Sequence, residues 1–96
     1  MEENMKELIH NQELELQYKW GYGAWTYHIV IPGTANLEGK WGLLKVSGTI
    51  DGYEIKNINL APRKEEDRMI SINKKIRAAI GKTGGDRVTV TLFLHI

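Results

Sequence analysis

At 96 residues and 11.0 kDa the chain has room for one small core. Apolar residues make 42%, and 13 basic residues face 12 acidic ones for a net charge of +1, so the composition excludes disorder and gives no bias toward nucleic acid or an anionic membrane. Cysteine is absent, which excludes disulfides and thiolate chemistry, and no apolar run reaches the ~18–20 residues of a membrane span.

Residues 1–12 read as an N-terminal extension to a single domain of residues 13–96. The extension carries Glu2, Glu3 and Glu7 and has no apolar segment of the secretory kind, so a cytoplasmic location is expected. Met5, Leu8 and Ile9 fall at i, i+3 and i+4, the spacing of a short helical turn. From Leu14 the period becomes two: Leu14, Leu16 and Tyr18 alternate with Glu15, Gln17 and Lys19, as in a half-buried strand. Gly21 and Gly23 break it. A second strand is expected from Trp25 to Ile31, with Trp25, Tyr27, Ile29 and Ile31 on one face, ended by Pro32-Gly33. Thr34 to Gly42 reads as a loop.

Two β-rich runs flank Asp51-Gly52, a dipeptide suited to the positive φ angles of a type I′ hairpin turn. Pairing Ile50 with Tyr53 sets Gly48 against Ile55. The three-residue step from Ile55 to Ile58 then puts Ile58 and Leu60 on the wrong face, so a bulge is predicted near Lys56–Asn57. Arg63 to Asp67 reads as a charged turn and Met69 to Ile72 as a short strand. A helix follows over about Asn73 to Ile80, capped by Ser71 or Asn73, with Ile72, Ile76, Ala79 and Ile80 as its apolar stripe and Gly81 beyond its end. Thr83-Gly84-Gly85-Asp86 is a turn. Arg87 to His95 is the last strand, with Val88, Val90, Leu92 and Leu94 on one face. Six strands in so short a chain hide their edges best by curling up. The expected fold is mainly β: a small closed six-stranded barrel with one short helix, in the C-terminal half, over one mouth.

The ordered set Val46-Ser-Gly-Thr-Ile-Asp-Gly52, Leu60-Ala-Pro62, Lys75-Ile-Arg77 and Gly85-Asp86-Arg-Val88, preceded by the aromatic strand ending at Pro32, resembles the nineteen-oh-five domain-of-unknown-function family of prokaryotes. The resemblance covers roughly residues 13–96. It implies a closed six-stranded, double-split barrel similar to the AbrB-like DNA-binding barrels, and it implies no established activity. Relatives occur alone or fused to a region linked with bacteriocin protection.

No catalytic constellation is visible in the order of residues. Gly81-Lys82-Thr83 ends like a phosphate-binding loop, but Ile76 stands where its first glycine belongs, and a helix precedes the motif instead of following it. His10, His28 and His95 lack metal-ligand spacing, and Ser47 and Ser71 lack a nucleophile-elbow context. No metal or cofactor is expected. Trp20, Tyr22 and Trp41 neighbour glycine, and with Trp25 they form the candidate ligand-binding set, since aromatics at a barrel mouth stack ring ligands. Residues 1–50 carry net −2 and residues 51–96 net +3, with Lys74, Lys75, Arg77 and Lys82 around the helix as candidate anion contacts. The leading expectation is a non-enzymatic binding barrel, homodimeric, that meets a small molecule or protein partner through its aromatic loops. The alternative is a nucleic-acid-binding regulator that uses the basic helix face.

Overall fold

The computed structural model describes residues 5–35, 44–63 and 66–95. They form seven strands and one helix: β1 (Met5–Glu15), β2 (Gln17–Tyr18), β3 (Tyr27–Val30), β4 (Leu44–Ile50), β5 (Tyr53–Arg63), β6 (Glu66–Ser71), α1 (Lys74–Ile80) and β7 (Arg87–His95). All described pairings are antiparallel, and the sheet order is β1-β7-β4-β5-β6-β3-β2. The expected closed six-stranded barrel is corrected: the sheet is a curled half-barrel of seven strands, with β1 and β2 at its two edges. The break lies at Leu16. Its N–H donates to the Asp86 carbonyl and its own carbonyl accepts from the Gly85 N–H, both at 2.8 Å. Leu16, the single residue between β1 and β2, thus stays bonded to the segment before β7, and it is fully buried.

The expected helical turn at Met5, Leu8 and Ile9 is also corrected. These residues lie in β1, opposite β7, and two register shifts between Glu7 and Gln12, with Asn11 at φ 46°, break the simple alternation. Bulges thus imitate a helical spacing. At the next expected strand, residues 23–25 form a 3-10 turn instead, held by the Thr26 hydroxyl donating to the Gly23 carbonyl at 2.7 Å. Trp25 therefore precedes β3. The charged turn is narrower than expected, because β5 extends to Arg63 and β6 begins at Glu66. The expected loop at Thr34 to Gly42 lies outside the described residues beyond Ala35.

The hairpin is as predicted. Ile50 pairs with Tyr53 and Gly48 with Ile55, then the register steps so that Val46 faces Ile58 and Leu44 faces Leu60. Asn57, at φ 52°, is the bulge residue that returns Leu60 to the core. Asp51 and Gly52 have φ 50° and 82°, as a type I′ turn requires. Gly52→Val is expected to cost about 1–3 kcal/mol through backbone strain alone, since nothing lies within 4 Å of the added Cβ. An unchanged melting temperature would contradict this.

Asp51 also ties the turn to β7. Its N–H donates to the Thr89 carbonyl at 2.8 Å, and its carboxylate accepts from the Thr89 N–H at 2.7 Å and pairs with Lys82 Nζ at 2.7 Å. Burial alone would raise its pKa, but the Lys82 and Thr89 bonds outweigh burial and hold it below the ordinary aspartate value. The unfolded chain therefore takes up this proton first, at about pH 4. The stabilisation is complete above that pH and is lost as pH falls through the lower folded value. Melting temperature should fall more steeply in acid for the wild type than for Lys82→Met. Parallel curves would contradict this role for Asp51.

The core is a single cluster: Ile9, Leu16, Ile29, Ile31, Leu44, Val46, Ile50, Ile55, Leu60, Ile70, Ile72, Ile76, Val88, Val90, Leu92 and Leu94. Every predicted inward residue of β7 is in it. α1 covers part of it through Ile76, with the Asn73 carboxamide accepting from the Ile76 N–H at 2.9 Å and Gly81 in the left-handed conformation as its C-cap. Ala79, expected on the apolar stripe, is exposed instead. A helix of seven residues presents only Ile76 squarely to the sheet, with Ile80 half-buried.

Candidate functional site

The clearest convergence of aromatic and basic side chains lies between β2, β3, α1 and the turn before β7. β2 pairs with β3 in a register that sets Tyr18 opposite Tyr27. Cross-strand partners share a face, and the two rings meet at 5.0 Å between centroids, inclined at 58°. The Arg77 guanidinium sits 3.6 Å from the Tyr27 ring centroid and donates through Nη1 to the Ile72 carbonyl at 2.8 Å. Tyr18, Tyr27 and Arg77 thus form a continuous aromatic–cation stack. Arg77 is fixed before any ligand arrives, so little side-chain entropy remains to be lost.

Two clefts meet at this stack. One of about 440 Å³ is lined by Lys74, Arg77, Lys82 and Asp86 among others; one of about 200 Å³ is lined by Tyr18 and Gly84; both share Tyr27 and Thr83. The turn is rigid: the Thr83 N–H donates to Asp86 Oδ2 at 2.9 Å, and the Asp86 N–H donates to the Thr83 carbonyl at 3.0 Å. Gly84 packs so tightly on Tyr18 that a methyl there would lie 2.7 Å from the Tyr18 Cβ.

The four basic candidates divide. Lys74 and Lys75 are exposed, and Lys74 with Arg77 faces the larger cleft. Lys82 is spent on Asp51 and on the Arg87 carbonyl at 2.6 Å. The aromatic candidates are not brought together. Trp20 is 83% exposed on the loop after β2. Tyr22 is stacked 5.9 Å from the buried His28 ring, with Lys19 Nζ 5.4 Å above it. Trp25 lines a separate cleft of about 290 Å³ with Asn57, Asn59, Asn73 and Ile76. Trp41 lies outside the described residues. His28 donates through Nδ1 to the Trp25 carbonyl at 2.8 Å, so it holds the 3-10 turn.

Sequence reasoning overlooked Tyr18 and Tyr27 as a pair because both fit core-facing strand positions. The usable signal was the Gly21–Gly23 break, which folds the two strands onto each other. It also overlooked Ser47 and His95, which are 48 residues apart but lie on adjacent strands. The Ser47 Oγ is 2.7 Å from His95 Nε2 and accepts from the Asn57 N–H at 3.0 Å. Both line a cleft of about 440 Å³ on β4, β5 and β7. Among the described residues no group of His, Cys, Asp and Glu is placed to hold a metal ion, and no helix is long and apolar enough to cross a membrane.

Comparison with known proteins gives a family. The sequence profile of a domain of unknown function, DUF1905, matches residues 15–92. No curated protein and no solved structure matches the chain.

Proposed function

We propose, for a chain that belongs to the DUF1905 family of domains of unknown function, that it is a binding domain for a small anionic ligand carrying a planar ring. The observation that carries this reading is the Tyr18–Tyr27–Arg77 stack, with Arg77 3.6 Å from the Tyr27 centroid. Tyr18 offers a ring face or edge for stacking. Arg77 and Lys74 offer charge to a phosphate or carboxylate, and Thr83 lines the space between them. The combined space suits a molecule of mononucleotide size, within the ~300–1,000 Å³ of small-ligand pockets.

Charge arithmetic favours a small ligand over duplex DNA. Lys82 is neutralised by Asp51, and Asp86 lines the same cleft. Of the four basic residues around α1, Lys74, Lys75 and Arg77 remain, at most half of the ~6–10 phosphate contacts that give strong salt-dependent duplex binding.

The probe is uridine 5′-monophosphate, titrated by calorimetry at low salt, with uridine and inorganic phosphate as controls. The nucleotide should bind at least tenfold tighter than either part. Tyr18→Ala should weaken it by about 5- to 150-fold, the range of one base–aromatic stack, and Lys74→Glu should weaken it while leaving uridine unaffected. Equal affinity for nucleotide and phosphate, or indifference to both substitutions, would overturn the reading.

A further inference from the structure

We infer that Ser47 is an acylatable nucleophile, activated by His95, for esters of small apolar carboxylic acids. The site lies on β4, β5 and β7, separate from the Tyr18–Arg77 groove. Its geometry is that of a nucleophile with its general base: Oγ and Nε2 are 2.7 Å apart, inside the ~2.6–3.2 Å that proton transfer needs. The Asn57 N–H, 3.0 Å away, holds Oγ in place from the opposite strand. Asn57 is positioned by the bulge of β5 at φ 52°, and bulges next to a reactive group commonly aim it. Met5 and Phe93 supply apolar wall for an acyl chain beside the hydroxyl. A merely structural serine would satisfy the Asn57 N–H without needing a histidine at the mouth of a cleft.

The chemistry balances without any co-reactant except water. With His95 in its Nδ1–H form, the Ser47 hydroxyl proton moves to Nε2 as Oγ bonds to the ester carbonyl carbon. The tetrahedral adduct expels the alcohol oxygen, which takes that proton from Nε2 and leaves as the alcohol. Water then attacks the acyl-Ser47 carbon and gives a proton to Nε2. The Oγ–acyl bond breaks, the acid departs, and the proton returns to Oγ. His95 has no carboxylate partner among the described hydrogen bonds. Loss of such a partner in a full triad costs ~10⁴ in rate, so slow turnover is expected, and the acyl-enzyme accumulates only with an ester whose activated leaving group makes acylation the faster step.

The test is labelling of the full chain with an alkyl fluorophosphonate, read by intact mass and peptide mapping. The chain has only two serines, Ser47 and Ser71, so Ser71 serves as an internal control. One adduct on Ser47 should form at least tenfold faster in the folded protein than in the chain unfolded by urea. Labelling should vanish in Ser47→Ala, persist in Ser71→Ala and slow at least tenfold in His95→Gln, with p-nitrophenyl butyrate giving a burst of about one equivalent in the wild type alone. Equal rates in the folded and unfolded chain, which need no variant to measure, would overturn the proposal. So would labelling at Ser71 or an unchanged rate in His95→Gln.

Discussion

Gly48→Ala is expected to cost about 3 kcal/mol or more, at the upper end for overpacking a core. A Cβ at this position would sit 1.9 Å from the Thr91 carbonyl oxygen, 2.9 Å from its carbon and 3.0 Å from the Leu92 Cα. These are backbone atoms, so no side-chain rotation relieves the collision. Relief requires parting β4 from β7, whose register runs from Val46 opposite Leu94 to Ile50 opposite Val90. That ladder carries five core residues: Val46, Ile50, Val90, Leu92 and Leu94. A domain of this size has a total margin of about 5–15 kcal/mol, and each kcal/mol moves the melting temperature by about 4–8 °C. A fall of more than about 12 °C is therefore expected in thermal unfolding followed by circular dichroism. A melting temperature within a few degrees of wild type would show that β4 and β7 do not approach so closely.

Ile76→Asp is expected to be comparably damaging. Ile76 is 7% exposed, sits in the core cluster and is the only buried residue of α1. A carboxylate there has lost its water and gains no partner, at a cost of several kcal/mol. The control is Lys74→Asp, two residues earlier on the exposed face, where a change within about 0.5 kcal/mol is expected. Urea unfolding of both variants decides the matter. A stable Ile76→Asp beside an unfolded Lys74→Asp would mean that the helix turns its other face to the sheet.

These two sites also mark how far the residues reveal the fold. Ile76 is legible, because a helix cap at Asn73 and apolar residues four apart define a face by local chemistry. The hairpin is equally legible: Asp51-Gly52 dictates the turn, the turn dictates the register, and the misplaced parity of Ile58 requires the bulge found at Asn57. Gly48 is not legible, since its need for hydrogen in place of a side chain comes from Thr91, 43 residues onward. Closure is hidden for the same reason. Leu16 continues an alternating strand as far as local pattern shows, and its bonds to Gly85 and Asp86, 69 and 70 residues onward, leave no trace in that pattern. β1 deceived by a different route, its register shifts placing Met5, Leu8 and Ile9 at a helical spacing within a strand.

The candidate sites follow this division. The basic cluster around α1 was visible in sequence, but the spending of Lys82 on Asp51 was not, because the pair joins the β4–β5 turn to the segment between α1 and β7, 31 residues onward. The Tyr18–Tyr27–Arg77 stack needs a strand pairing and a helix packing at once. Ser47 and His95 meet only through the β4–β7 register, in which Ser47 faces Phe93 and reaches diagonally to His95. Residue order separates such groups; strand pairing unites them.

That the Tyr18–Arg77 groove receives a small anionic ring ligand is a claim that amide chemical-shift mapping decides. Uridine 5′-monophosphate added to the ¹⁵N-labelled protein should move the amides of Tyr18, Tyr27, Ala78, Thr83 and Gly84 in one saturating process, and Tyr18→Ala should abolish the response at Thr83 and Gly84. Shifts confined to the Ser47–His95 cleft or to the Trp20–Tyr22 loop, or no saturating shift at millimolar nucleotide, would contradict the claim.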